Sequence, residues 1–196
     1  IGLSPRDNDE IWAGTDDGLI QMTRDGGAHW NNVTPKQIPA WAKVATIDVS
    51  ATKPGSAYAA VDNHRQDDFR PHAWRTRDYG KSWSAITTGL PASGFVDVIR
   101  ADPVKSGLLY AGTDTGVFVS FDDGDHWQAL QRNLPSAWVR DLLVHGDDLI
   151  AATQGRAIWV LDNVTPLRQH ERAAGDTNAL FEPAAAMRLR GSQNRD

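Results

Sequence analysis

The stretch of sequence that decides the fold is Thr23-Arg24-Asp25-Gly26-Gly27-Ala28-His29-Trp30, which recurs in altered form at residues 76–83 and 120–127. All three copies read hydroxyl, any residue, Asp, any residue, Gly, two further residues, Trp. This pattern is typical of a tight hairpin in which the Asp accepts backbone N–H groups and the Gly takes a positive φ. The Trp then begins the next strand, and we predict that it covers its own turn.

We call these three segments the box turns. Their repetition favours a structural role over metal or carbohydrate binding by the Asp residues. The residues to which we assign this role are Thr23, Asp25, Gly27, Trp30, Thr76, Asp78, Gly80, Trp83, Ser120, Asp122, Gly124 and Trp127.

A second segment, which we call the echoed strand, occurs four times, at residues 11–16, 57–62, 109–114 and 149–154, and its first three copies each precede a box turn. Its second residue is Trp12, Tyr58, Tyr110 or Ile150, at spacings of 46, 52 and 40 residues. Such a period is that of one four-stranded β-propeller blade. We predict inner strands at residues 1–3, 46–49, 96–101 and 141–144.

The sequence therefore predicts an all-β chain, a β-propeller of four-stranded antiparallel blades with about four blades present. We expect one domain or partial propeller over residues 1–196, with units at about 1–45, 46–95, 96–138 and 139–168.

The fourth unit has Val160, Val164 and Leu167 where a box turn needs its hydroxyl, Gly and Trp. Such decay is common in a terminal repeat. In the tail, 169–196, Leu180-Phe181 with residues 187–189 can supply a closing strand. We expect a small closed propeller or, preferably, part of a larger one.

Composition excludes several classes of protein. The net charge is −5, whereas nucleic-acid binding usually requires a basic face. There is no Cys, so disulfides and thiolate sites are absent. No apolar run approaches the roughly 20 residues that span a bilayer, and the first residues are not a signal peptide. No phosphate loop or nucleophile motif occurs, and we predict no nucleic-acid partner, cofactor or bound metal.

The box pattern resembles the Asp-box, or BNR repeat, of sialidase-like β-propellers. Residues 62–71, 133–135 and 153–162 are similar to the C-terminal part of large bacterial sortilin-like or glycosyl-hydrolase BNR-repeat proteins. This similarity extends from residue 1 to about residue 190. It departs at Gln154, where such relatives would have His, so no role for a His is carried over. The resemblance implies an exported protein, periplasmic or extracellular, of which this chain is a fragment partnered by further blades.

Strand order indicates where function would lie. In an up-and-down blade, the turn between strands three and four lies at the opposite end from the turn between strands two and three and from the link to the next blade. The box turns therefore occupy one face of the propeller. We expect the functional residues on the other face, which we call the link face.

Unit two carries an insertion on the link face. The spacing from the aromatic residue of the echoed strand to the box Asp is 20 positions from Tyr58 to Asp78, against 13 and 12 in units one and three. Its His and Asp residues can ligate a divalent metal or act in acid and base chemistry, or they form a solvated charged loop. Trp41 and Trp138, in the links, can stack on a ligand or fill the seams between blades. Arg156 can bind a carboxylate or be a surface residue. The ligand-binding candidates are Trp41, His64, Arg65, Asp67, Asp68, His72, Trp138 and Arg156.

Two classes of function remain open. One is a module that binds an extended polar ligand, a glycan or a peptide. The other is a glycoside hydrolase resembling the xyloglucanase type, which needs two carboxylates about 5 to 10 Å apart. Asp16 or Asp17 with Asp114 can form such a pair, although recurrence of an Asp after the echoed strand favours turn chemistry. The catalytic residues are thus unknown at this point. The sequence argues against sialidase chemistry, which requires a tyrosine nucleophile, because all three Tyr residues belong to repeated strands or a box turn.

Overall fold

The computed structural model describes residues 1–173 and 180–183, and within them the fold is all-β, as predicted. Three antiparallel sheets have four strands and one has three, and in each sheet the strands follow chain order. We call each sheet a blade. Blades 1 and 2 contain β1 (Gly2–Leu3), β2 (Ile11–Gly14), β3 (Ile20–Thr23), β4 (Asn31–Asn32), β5 (Lys43–Val49), β6 (Ala57–Asp62), β7 (His72–Thr76) and β8 (Ser84–Ala85). Blades 3 and 4 contain β9 (Val96–Ala101), β10 (Leu109–Thr113), β11 (Val117–Ser120), β12 (Gln128–Ala129), β13 (Val139–His145), β14 (Asp148–Thr153) and β15 (Ile158–Leu161).

The four predicted inner strands are confirmed as β1, β5, β9 and β13, although β5 and β13 begin earlier than the sequence pattern indicated. Helix is confined to three short pieces in the described residues: a 3-10 turn at His64–Gln66, α1 (Thr165–Arg168) and α2 (His170–Ala173). No helix in this part of the chain is long and apolar enough to cross a membrane.

Apolar side chains between neighbouring blades form three core clusters. Trp12 and Trp74 belong to the cluster between blades 1 and 2, and Tyr58 and Ile99 to the one between blades 2 and 3. Leu142 belongs to the third cluster, between blades 3 and 4. Burial of these faces supplies the main stabilising free energy of the array.

The two ends of the array are uncovered. Leu3 and Trp30 are exposed on blade 1, and Leu143, Ile158 and Val160 are exposed on blade 4. In the inner blades the residues equivalent to Ile158 are buried, because the following blade covers them. Exposed apolar surface of this kind suits part of a larger propeller better than a closed ring of four blades.

The hydrogen bonds predicted for the box turns are present. The hydroxyl of Thr23 donates to Asp25 Oδ1 at 2.7 Å, and Asp25 Oδ1 accepts the backbone N–H of His29 at 2.9 Å. The second and third turns repeat both bonds around Asp78 and Asp122. In the first turn Gly27 has φ of +100° and donates its N–H to the Thr23 hydroxyl. A residue with a Cβ would be strained in this conformation.

The prediction that each box Trp covers its own turn is wrong for two of the three. Trp30 does so, since its Nε1 donates to Gly27 O at 3.1 Å. Trp83 Nε1 instead donates to Val33 O at 2.7 Å, and Trp127 Nε1 to Ile86 O at 2.8 Å, both in the preceding blade. The neighbouring blade offers apolar surface and a free carbonyl together, and Trp30 has no preceding blade among the described residues. We call this contact the blade latch.

Blade 4 lacks an outer strand in the part of the chain that the structure describes. Its chain continues from β15 into α1, where Arg168 pairs with Asp102 at 2.9 Å and with Asp147. The prediction of a closing strand is wrong for Leu180 and Phe181, which are not in a strand. Residues 187–189, the other part of that prediction, lie outside the described residues.

Candidate functional site

The inner strands of blades 2, 3 and 4 each carry a β-bulge at the same place. The pairing of each strand with its neighbour skips one residue, and these residues are Ala45, Asp97 and Arg140. A bulge turns its side chain away from the regular alternation of the strand. The bulges lie next to the link face, and the side chains of Asp97 and Arg140 form an ion pair of 3.0 Å between blades 3 and 4.

Aromatic rings surround this ion pair. The ring of His64 stacks on Phe95 with 4.7 Å between ring centroids, and Trp138 meets both rings edge-on. The indole Nε1 of Trp138 donates to Asp97, and the guanidinium of Arg140 lies 4.2 Å from the centroid of the Trp138 ring. We call these five residues the bulge cluster. Stacking and cation–π contacts of this kind hold side chains in defined positions.

Two further carboxylates lie beside the bulge cluster. Asp62 is buried and accepts a hydrogen bond from the ring nitrogen of His64 at 2.6 Å. Asp114 donates its backbone N–H to Phe95 O at 3.2 Å, and its Oδ1 is buried without a hydrogen-bond partner among the described residues. An unpaired buried oxygen is costly, so it marks a place where a ligand or water can bind.

Burial raises the pKa of both Asp97 and Asp114 above the ordinary value for an aspartate. The hydrogen bond from Trp138 and the charge of Arg140 oppose this effect at Asp97. The negative charge of Asp97 adds to the effect of burial at Asp114. The charges of these two carboxylates therefore interact, and Asp114 holds its proton to a higher pH than an exposed aspartate would.

The unit-two insertion is packed against the link that precedes blade 3. Phe69 O accepts the backbone N–H of Gly94 at 2.7 Å. Within the insertion, Asp68 pairs with Arg70 at 2.8 Å and with His72 at 2.9 Å. The hydrogen bonds from Arg70 and His72 hold the pKa of Asp68 far below its usual range. The insertion is thus a folded loop whose charges are largely paired.

A surface depression of about 230 Å³ lies between the first link and the insertion, and its lining includes Asp16, Trp41, Lys43, Asn63 and Arg65. The side chain of Trp41 is 71% exposed, and its backbone has a left-handed φ of +64°. Such a φ is uncommon for a residue other than Gly and is typical of functional sites. The Oδ1 atom of Asn63 is buried and has no partner in the described part of the chain. We call this feature the Trp41 depression.

The structure brings together some of the ligand-binding candidates. Trp41 and Arg65 share the depression, and His64 and Trp138 share the bulge cluster. Asp67 ends the 3-10 turn in a left-handed conformation and donates its N–H to His64 O. Arg156 is exposed in the turn between β14 and β15.

The three catalytic candidates have different surroundings. Asp16 lines the Trp41 depression, and Asp17 accepts a hydrogen bond from Thr15 within its own turn. Asp114 lies on the third blade, beside the bulge cluster. Sequence reasoning missed Asp62, Asp97 and Arg140, although the Asp inside the apolar run 96–99 was a usable signal. Among the described residues, no group of three or more His, Asp or Glu side chains is placed to hold a metal ion.

No family model matches this chain, and no curated protein matches it either. Several solved structures, in contrast, match the chain. YCF48 bound to D1 peptide is 21% identical with a TM-score of 0.60, covering 83% of this chain and 51% of that one. The GH74 enzyme of Niastella koreensis is 17% identical with a TM-score of 0.62, covering 83% and 22%. The GH74 xyloglucanase of Xanthomonas campestris is 17% identical with a TM-score of 0.60, covering 80% and 26%.

These neighbours show the fold, a β-propeller, of which this chain has about four blades. The chain spans about half the length of YCF48 and about a quarter or less of the two GH74 enzymes. At this level of identity the likeness does not single out the sortilin-like or BNR-repeat family, so that part of the sequence resemblance is unconfirmed. Function has to be argued from the site itself.

Proposed function

We propose that this chain is a propeller module whose link face binds an extended glycan. The observation that carries the proposal is the indole of Trp41, which is 71% exposed and stands beside a depression lined by polar and charged side chains. Loops on a rigid β-scaffold are common positions for binding residues. The link face has this organisation, with the insertion packed on the links.

The chemistry of the Trp41 depression suits a sugar. A pyranose ring has an apolar C–H face that packs on an indole, while its hydroxyl groups need donors and acceptors at the edge of the ring. Arg65 and Lys43 supply donors, and Asp16 and the unpaired Oδ1 of Asn63 supply acceptors. Asp62 lines the depression and is hydrogen-bonded to His64 of the bulge cluster. The bulge cluster would therefore contact a second part of an extended ligand.

The neighbours support both ligand classes named in the sequence analysis. One of the GH74 enzymes is a xyloglucanase, and YCF48 was solved with a peptide. We favour a glycan because the depression combines one exposed indole with acceptors and donors of both charges. A peptide ligand is the competing outcome of the test.

The test is isothermal titration calorimetry with xyloglucan oligosaccharides, other soluble β-glucan oligosaccharides and a set of extended peptides. Trp41→Ala should lower glycan affinity at least tenfold, because the stacking surface is lost. Trp30→Ala is the matched control, since Trp30 is a partly exposed indole on the box-turn face. Equal affinity for glycan in the Trp41→Ala variant and the unsubstituted protein refutes the site, and binding of peptides alone assigns the face to a peptide.

Glycoside hydrolysis is a second candidate, favoured by one observation. Asp97 is a carboxylate outside the repeat pattern, since its equivalents are Ala45 and Arg140, and its charge interacts with that of Asp114. A carboxyl group with a raised pKa, such as Asp114, suits a general acid. If the protein is a hydrolase, Asp114→Asn abolishes release of reducing sugar and keeps glycan binding. Absence of turnover in the unsubstituted protein leaves the binding function alone.

A further inference from the structure

The third strand of blades 1, 2 and 3 pairs with an outer strand, and one hydrogen bond closes each pairing in the same way. The residue three positions after the box Trp donates its N–H to a backbone carbonyl at the start of the third strand. These bonds are Val33 N to Ile20 O at 2.9 Å, Ile86 N to Ala73 O at 2.9 Å and Leu130 N to Val117 O at 2.8 Å. Ile158 is the first residue of β15 and holds the equivalent place. Its carbonyl receives no bond from an outer strand in residues 1–173 or 180–183.

The blade latch is incomplete at the same place. Val33 O accepts the indole N–H of Trp83, and Ile86 O accepts that of Trp127. The third equivalent carbonyl is that of Leu130, to which no indole donates within the described part of the chain. Leu130 lies in a groove between blades 3 and 4 whose lining includes the apolar residues Val117, Leu134, Leu149, Trp159 and Leu161 and the polar residues Gln131, Arg132 and Asn133. In the other two seams the indole donates to the equivalent carbonyl and packs in or against the apolar core cluster of that seam.

We propose that β15 and this groove form a docking site for an extended segment that carries a tryptophan. The segment adds to the free edge of β15 as a fourth, antiparallel strand, a known mode of peptide recognition. Its indole enters the groove and donates to Leu130 O, as Trp127 does to Ile86 O. Three residues later, a backbone N–H donates to Ile158 O, so that residue is not Pro.

The occupant comes from outside this sequence. All eight Trp residues lie within residues 1–173, so the C-terminal residues 174–196 contain none. Trp30 is the one box Trp without a latch to a preceding blade, but its own blade already has four strands and its indole donates to Gly27 O. A second copy of this chain therefore offers no free strand with a tryptophan. A Trp-bearing strand of another polypeptide segment meets the requirement.

The probe is a synthetic peptide with the sequence of residues 78–87, which forms a latching strand in blade 2. With fluorescein at its N-terminus, its binding to the full 196-residue chain is measured by anisotropy. Substituting the peptide at Trp83→Ala or Ile86→Pro should each lower affinity at least tenfold, because the first removes the indole and the second the N–H for Ile158 O. Ser84→Ala is the matched control and should change affinity less than twofold.

A second measurement locates the indole. The same peptide with 5-fluorotryptophan at position 83 gives one ¹⁹F signal, free of background from the eight Trp residues of the protein. We expect it to shift and saturate on titration. In the protein, Leu134→Asp should weaken binding at least tenfold, and Val104→Asp, an exposed apolar position outside the groove, should leave it unchanged. Equal affinity of the Trp83→Ala peptide, or a ¹⁹F signal that stays at its free position, overturns the proposal. The peptide series decides the matter even if Leu134→Asp does not fold.

Discussion

The indole Nε1 of Trp127 donates a hydrogen bond to the backbone carbonyl of Ile86, in the preceding blade, at 2.8 Å. Only 5% of the Trp127 side chain is exposed, because it enters the core cluster between blades 2 and 3. The box turn therefore does more than reverse the chain. In blades 2 and 3 its Trp also connects the blade to the one before it.

Removing this connection should lower the stability of the folded protein. We expect Trp127→Ala to lower the free energy of unfolding by about 3–5 kcal/mol, as for other buried large aromatic residues. Trp30→Ala is the natural control and should cost clearly less, since Trp30 is 44% exposed and bonds only to its own turn. Urea denaturation followed by far-ultraviolet circular dichroism measures both. Equal losses for the two variants would mean that the blade latch does not contribute to stability.

Acid should weaken the seam between blades 2 and 3 through Asp123. Burial by itself raises the pKa of Asp123, but hydrogen bonds from Tyr58 and Arg77 and the charges of Lys53 and Arg75 lower it below the ordinary value. The folded protein therefore binds this proton less tightly than the unfolded chain does. Its stabilising contribution is present above the unfolded pKa of about 4 and is lost as the pH falls through the lower folded value.

The measurement is the free energy of unfolding of the unsubstituted protein and of Asp123→Asn between pH 7 and pH 3. We expect Asn to cost about 2–3 kcal/mol at pH 7, because Arg75 and Arg77 lose the buried carboxylate that they share and Arg75 keeps only its pair with Asp125. The gap between the two proteins should narrow below about pH 4, where the unfolded chain begins to take up this proton before the folded protein does. A gap that stays constant across this range contradicts the assignment.

The repeats allowed the fold to be predicted, because the box turns and the echoed strands use local chemistry that is visible in sequence. The hydrogen bonds of Asp25, Asp78 and Asp122 follow from the spacing of hydroxyl, Asp and Gly alone. The blade latch could not be predicted in this way, since the acceptor of Trp127 is 41 residues away in the chain. Only the packing of two blades brings that carbonyl to the indole.

The candidate site could be predicted only in part, again because the sequence shows local patterns and not the contacts between paired strands or packed blades. Strand order placed Trp41, Trp138 and the insertion on one face, and the structure puts His64 of the insertion beside Trp138. Asp97 and Arg140 were missed because each belongs to a strand, and alternation along a regular strand says nothing about a bulge. Whether a strand contains a bulge depends on its pairing with the neighbouring strand, which the sequence pattern does not specify.

The bulge cluster should behave as a coupled unit. In a double-mutant cycle with Asp97→Ala and Arg140→Ala, we expect an interaction free energy of about 1–3 kcal/mol, as for other close charged pairs that share partners. The Asp97 side chain is buried and accepts bonds from both Trp138 and Arg140. Unfolding by urea at pH 7 provides the four free energies. A cycle with Asp97→Ala and Lys81→Ala, a residue of the second box turn, should give an interaction near zero. Additive losses for Asp97 and Arg140 would contradict the coupling.

We propose that the link face, and not the box-turn face, binds the ligand. Hydrogen–deuterium exchange with and without saturating glycan tests it most directly, since it reports on every segment of the chain in one experiment. We predict slower exchange on binding in residues 38–43, 62–72 and 136–140, with no change in the box turns at 23–30 and 120–127. Protection confined to the box turns would contradict the account.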